Sequence, residues 1–112
     1  MMTTRIIGTG SALPAHTLTN DDLAKFLDTS DEWIRTRTGI RSRQLAGDEE
    51  SAVTLAAEAG RKALEDGKVR PEEIQMVFVA TCSSENYFPS VGCRDQEALG
   101  LTNASAMDLS AA

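Results

Sequence analysis

The stretch "ESAVTLAAEAGRKALEDG" (Glu50–Gly67), followed after a short connection by "IQMVFVATC" (Ile74–Cys82), decides the fold. In the first segment Leu55, Ala56, Ala59, Ala63 and Leu64 recur at helical spacing, and Gly67 stands where a helix stops. Its core stripe is mostly alanine, so whatever packs there can approach closely. The connection "RPEEI" reads as a turn with Pro71 at a helix-start position. The second segment has an unbroken apolar centre from Met76 to Ala80, the pattern of a strand covered on both faces. A helix feeding a buried strand is the unit of a parallel sheet.

Working outward, the same alternation continues. Upstream, "RIIGTG" (Arg5–Gly10) reads as a first strand running into the turn "SALP". Its glycines read as turn residues, because a dinucleotide fingerprint needs a third glycine with a helix directly behind it. "TNDDLAKFLD" predicts a short helix capped by Thr19 or Asn20, with Asp21 and Asp22 at its positive end and Leu23, Phe26 and Leu27 on one face. Thr29 and Glu32 then stand three apart as a capping box, which predicts a second short helix from near Asp31 to Gly39. On it Trp33 and Arg37 are i and i+4 and share a face. Downstream, "SSENYFP" is a loop, Ser90 caps a helix "VGCRDQEALG" ending at Gly100, and "ASAMDLSAA" is a further buried strand. The expectation is an α/β fold with parallel strands joined by right-handed crossovers. Ligands of such sheets collect at the carboxyl ends of strands: the turn after Gly10, the loop after Cys82, and beyond Ala112.

Composition limits the class. With 41% hydrophobic and 25% charged residues and a mean hydropathy of -0.24, the 112 residues suit one small core. No apolar run reaches the roughly 20 residues of a bilayer helix, and the start "MMTTRIIGTGS" lacks a secretory signal's apolar core, so a cytoplasmic protein without a membrane partner is expected. Cys82 and Cys93 have no CxxC spacing and no neighbouring His, which argues against zinc and against a disulfide framework. Cys93, inside a predicted helix, is expected to be packed; His16, beside Pro14 in a turn, is expected at the surface. The net charge of -6 argues against nucleic acid. Yet "WIRTRTGIRSRQLAG" (Trp33–Gly47) holds Arg35, Arg37, Arg41 and Arg43 and no acid. Two readings stand: a solvated face whose arginines, Arg35, Arg41 and Arg43 above all, pair with Asp31 or Glu32, or an anion site in which guanidinium groups beside an aromatic receive a phosphate-bearing ring.

Five blocks in order, "IIGTGSALP", "TNDDL", "DTSDEWIRTRTGI", "FPSVGCRDQEALG" and "DLSAA", resemble the N-terminal third of β-ketoacyl-acyl carrier protein synthase III, a condensing enzyme of the thiolase superfamily. The resemblance implies a thiolase-like layered αβαβα fold, with residues 1–112 forming the first part of its N-terminal half. It implies that Trp33 stacks on the adenine of coenzyme A, that Arg37 meets the nucleotide portion, that Thr29 lies at the same site, and that Phe88 reaches across a homodimer interface to the partner's acyl pocket. It also implies an acyl-CoA primer, malonyl-acyl carrier protein as second substrate, and no cofactor beyond the coenzyme A thioester that is itself substrate.

In that family "DLSAA" is followed by the nucleophilic cysteine, so Ala112 is expected to precede the reactive residue, with its carbonyl buried beside the acyl tunnel. The catalytic residues are then expected outside residues 1–112, in the remainder of the polypeptide. The family reaction starts fatty acid synthesis by condensing the primer with the malonyl unit. Two rivals remain at this stage: a related condensing enzyme of secondary metabolism, and a non-catalytic fragment or binding module.

Overall fold

A computed structural model describes residues Thr3–Ala111. The chain divides into two compact units: Leu13–Glu50 is one, and the chain up to Ala12 together with everything from Ser51 on is the other.

The larger unit is built on α3 (Ala52–Gly67), β3 (Met76–Ala80), α4 (Val91–Ala98) and β4 (Ser105–Leu109). Helix α3 starts at Ser51, whose hydroxyl accepts from the Thr54 N–H while the Thr54 hydroxyl accepts from the Ser51 N–H. It ends one residue later than expected. Gly67 is still helical, and Lys68 takes the left-handed conformation at φ 52° that closes the helix. Its most buried residues are Val53 and Ala57 rather than the expected stripe. They share a face with Gly60, against which Leu99, the C-cap of α4, packs.

Strands β3 and β4 pair in parallel, Met76 opposite Ser105 through Ala80 opposite Leu109, with α4 packed against both. The crossover is therefore the expected βαβ unit. The expectation that β3 is covered on both faces does not hold among the described residues. Val77, Val79, Ala106 and Asp108 are half-buried, whereas Met76, Phe78, Met107 and Leu109 on the other face are exposed.

Arg5–Gly10 is not a strand. Its backbone lies on α3, where a Cβ at Gly8 would sit 2.4 Å from the Ala63 carbonyl oxygen and one at Gly10 2.2 Å from that of Ala59. The glycines are close-approach residues rather than turn residues, and the alanine stripe is the surface they approach. Polar groups here are satisfied by α3 side chains instead of a ladder: Thr9 N–H donates to Asp66 Oδ2 at 2.9 Å, and Lys62 Nζ donates to the Ser11 carbonyl at 3.1 Å.

The smaller unit contains β1 (His16–Thr19), α1 (Asn20–Ala24), α2 (Asp31–Thr38) and β2 (Ser42–Leu45). Strands β1 and β2 are antiparallel, with Thr17 opposite Gln44. Neither is evident from sequence, because "HTLT" and "SRQL" are short and polar and carry no apolar alternation. His16 thus opens a strand rather than lying in a turn, although it is exposed as expected. Thr19 caps α1 in a capping box with Asp22. The Asp22 carboxyl is held well below the usual carboxylate range, chiefly by its hydrogen bond with Lys25 and next by those with Thr19. Helix α1 is shorter than expected, and Phe26 and Leu27 lie beyond it, exposed.

One buried group in the larger unit works against the fold. Asp95 on α4 is 3% exposed, and its Oδ1 has no partner among the described residues. Burial, reinforced by the nearby Asp108 carboxylate, pushes its pKa up to about 6. A carboxyl whose folded pKa is raised favours folding most when protonated. Its contribution is complete below pH 3.8 and is lost as pH rises through about 6. Asp95→Asn removes this loss. Urea unfolding of the whole protein at pH 4.5 and pH 7.5 is expected to show the variant gaining about 1 kcal/mol over the parent at the lower pH and up to about 3 kcal/mol at the higher. An equal difference at both pH values contradicts this.

Candidate functional site

Helix α2 presents the residues that the sequence singles out. It begins at Ser30, whose hydroxyl accepts from the Trp33 N–H at 3.1 Å. The cap is therefore Ser30 and not Thr29, one position from the expected capping box. The half-buried Thr29 has a hydroxyl that makes no side-chain hydrogen bond among the described residues. Gly39 ends the helix at φ 75°, as expected.

Between these ends Trp33 and Arg37 do share a face: the Arg37 guanidinium carbon lies 4.7 Å from the centroid of the Trp33 ring, a cation–π stack. Trp33 is 54% exposed. The other arginines of the acid-free stretch sort themselves. Arg35 Nε pairs with Asp31 Oδ2 at 3.4 Å, as the solvated-face reading has it. Arg43 turns inward and donates from Nη2 to Asn20 Oδ1 at 2.7 Å, a neutral partner in place of the expected acid. Arg37 and Arg41 have no carboxylate partner among the described residues. The exposed cation left beside the aromatic ring is thus Arg37.

Phe88 belongs to the other unit, in the loop between β3 and α4. It is 90% exposed, Tyr87 beside it is fully exposed, and the Phe88–Pro89 peptide is cis. In the same unit a cavity of about 420 Å³ opens where β3 and β4 end, lined by Thr81, Cys82, Glu85, Tyr87, Ser90 and Ser110 among others. This is the carboxyl-end position at which open α/β sheets hold ligands. Cys82 is exposed there. Cys93 is exposed too, against the expectation of packing, because it lies on the solvent side of α4. No cluster of metal-ligating side chains occurs among the described residues, and no helix among them is long and apolar enough to cross a membrane.

Two functional-site supports were missed in the sequence. Asp108, also at the cavity, accepts from the Val91 N–H at 2.9 Å and the Gly92 N–H at 2.7 Å, anchoring the start of α4 to β4. Asn20 is the other; it is 1% exposed and bonded to both flanks of α2.

Fold and sequence together define a class. The structure superposes on 3-oxoacyl-[acyl-carrier-protein] synthase III from Aquifex aeolicus with a TM-score of 0.94 at 45% identity, over 97% of this chain and 35% of that one. A priming β-ketosynthase of a polyketide pathway gives a TM-score of 0.93 at 38% identity, over 96% of this chain and 32% of that one. The fold is thus the thiolase-like α/β fold of condensing enzymes. β-Ketoacyl-[acyl-carrier-protein] synthase III of Clostridium acetobutylicum is 47% identical over 112 residues, all of this chain and 34% of that protein. The chain is a homologue of the synthase III family along its whole length, and spans about a third of the relatives it matches. No protein-family model matches it. Ala112, on which the expected position of the nucleophile rests, lies outside the described residues.

The Asp108 anchor makes a direct prediction. Asp108→Ala leaves two N–H groups at the start of α4 without their acceptor and is expected to cost about 2–4 kcal/mol in chemical unfolding of the whole protein. Asp108→Asn keeps an acceptor but removes the charge facing Asp95, so the pKa of Asp95, followed by carboxyl NMR, moves down. A fully stable Asp108→Ala protein contradicts the anchor.

Proposed function

We propose that residues 1–112 belong to a longer enzyme that condenses an acyl-CoA primer, acetyl-CoA being our choice, with malonyl-acyl carrier protein to start fatty acid synthesis. The observation that carries the reading is the Trp33–Arg37 stack: an exposed indole beside a cation that has no carboxylate partner among the described residues, on one helix, in a chain homologous to synthase III. An adenine ring stacks on indole, and a guanidinium receives phosphate. Thr29, its hydroxyl not used as a helix cap, completes the site. The exposed sheet face of Met76, Phe78, Met107 and Leu109 supports a protein with further layers, because apolar side chains of this size in a row are normally covered.

In this reading a cysteine thiolate after Ala112 attacks the thioester carbonyl, and the coenzyme A thiol leaves. Loss of carbon dioxide from the malonyl unit then supplies the carbon nucleophile that takes the acyl group and frees the cysteine. The catalytic groups come from the rest of the polypeptide, and no cofactor is needed beyond the thioester substrate. The protein is a cytoplasmic homodimer with no nucleic-acid or membrane partner, and Phe88 reaches the partner subunit's acyl pocket. A polyketide-priming enzyme is the second reading, favoured by the similarity at a TM-score of 0.93, and it shares the same thioester mouth.

In the whole enzyme, Trp33→Ala and Arg37→Ala are expected to raise KM for acetyl-CoA about tenfold while kcat changes by less than about threefold. Unchanged KM in both variants rejects the nucleotide site. Phe88→Ala is expected to change the ranking of kcat/KM among primers of two to eight carbons by about tenfold or more while coenzyme A affinity stays as in the parent. Comparison of condensation rates with a fatty-acid acyl carrier protein and with a polyketide carrier protein as the malonyl donor separates the first reading from the second.

A further inference from the structure

The smaller unit has an unusual centre. The buried apolar residues of the described chain are Val53, Ala57, Val91 and Leu101, all in the larger unit. Within Leu13–Glu50 the buried residue is Asn20, an amide. Burying a primary amide is costly unless its hydrogen bonds are made, and here they are. Nδ2 spends both hydrogens, one on Asp31 Oδ1 at 2.8 Å and one on the Ile40 carbonyl at 2.8 Å. Oδ1 accepts from Arg43 Nη2 at 2.7 Å, and the backbone N–H donates to the Arg41 carbonyl at 3.3 Å.

The two acceptors of Nδ2 are placed tellingly. Asp31 is the first residue of α2 and Ile40 lies two residues past its last, Thr38. One planar amide therefore ties both flanks of the helix, and its two hydrogens diverge at a fixed angle, so helix position and azimuth are set together. Few apolar contacts compete with it, since Ile34 alone on α2 among its apolar residues is half-buried. Trp33 and Arg37 are exposed on the same helix.

We propose that Asn20 is the positioning residue of the nucleotide mouth: it touches no substrate, but by clamping both ends of α2 it fixes where the Trp33–Arg37 stack points. This rests on the reading of that stack as the coenzyme A site. Hydrogen bonds to a buried group are directional, whereas the exposed Arg35–Asp31 pair is worth little, so the amide decides the helix orientation.

The test uses the whole protein labelled with 5-fluorotryptophan, the Trp33 resonance being assigned by its loss in Trp33→Phe, with coenzyme A itself as the probe. Asp31→Ala removes the clamp at one end and leaves Asn20 buried with its other partners. Asp31→Asn keeps an acceptor oxygen for Nδ2 while losing the charge that meets Arg35. Asn20→Ser removes the clamp altogether.

Asp31→Ala and Asn20→Ser are expected to shift the Trp33 fluorine resonance in the free enzyme and to weaken coenzyme A binding about tenfold, with kcat at saturating primer within about twofold. Asp31→Asn is expected to match the parent in both readouts, which separates the clamp from the ion pair. If Asn20→Ser does not fold, Asp31→Ala decides alone. An unmoved resonance in Asp31→Ala, or a moved resonance with unchanged affinity, overturns the proposal. Trp33→Ala run in parallel keeps the two failures apart: unchanged affinity there rejects the nucleotide reading itself, and the clamp's role with it.

Discussion

The carboxylate of Asp108 holds the start of α4 against β4, and the larger unit is arranged around that contact. A helix leaves its first N–H groups unsatisfied, and where those groups meet a sheet they need an acceptor delivered from the sheet. Asp108 delivers two oxygens to two successive donors, Val91 and Gly92, with a charge of the sign that the helix start favours. The approach needs a bare Cα: a Cβ on Gly92 would stand 3.0 Å from Asp108 Oδ1 and 3.3 Å from the Met107 backbone. Ser90 adds its hydroxyl as acceptor for Cys93 N–H. The loop carrying Tyr87 and Phe88 is thereby tied at its far end to the strand terminus where the cavity opens. Anchor and cavity share Asp108 and Ser90, so the geometry of one constrains the other.

The same carboxylate imposes a cost. It lies close enough to Asp95 to oppose ionisation there, so one acid is satisfied and its neighbour is left in a dry place without a full set of partners. An apolar residue at 95 would pack without that conflict. An anchored anion thus stands beside a carboxyl whose ionisation is opposed, the first at the start of α4 and the second in its second turn.

What the sequence made legible follows from where backbone and side-chain signals coincide. Helix α3, strand β3, helix α4 and strand β4 each carry their own period, caps and stops, and their order and parallel pairing were readable. The alanines of α3 foretold close approach, although their partner reads as a strand from sequence, because "RIIGTG" opens on strand-like residues whereas the Thr9 N–H and, just beyond it, the Ser11 carbonyl are spent on Asp66 and Lys62 of α3. Strands β1 and β2 were illegible for a different reason: their pairing is a backbone event between segments more than twenty residues apart, written in polar residues that also suit turns. The i,i+4 relation of Trp33 and Arg37 was local and so could be read. The roles of Asn20, Arg43 and Asp108 were not, since each depends on a partner brought close by the fold. An Asn after a Thr at a helix start looks like a cap, and only its burial reveals that its amide serves a helix eleven residues on.

The Trp33–Arg37 stack also bears on how such a mouth would discriminate. An indole has two faces, and the Arg37 guanidinium lies over one of them at 4.7 Å. On the proposed reading an adenine takes the opposite face, so the ring is sandwiched and the cation is not displaced. Arg37 gives up no carboxylate on binding, because none among the described residues holds it, and its N–H groups make no hydrogen bond among them that phosphate oxygens would have to displace. The arrangement thus enters binding with its two recognition elements already in register, which lowers the ordering cost that an unpaired arginine on an exposed helix would carry. That advantage holds only while α2 keeps its azimuth, and among the contacts of the smaller unit the one that sets it is the buried amide of Asn20.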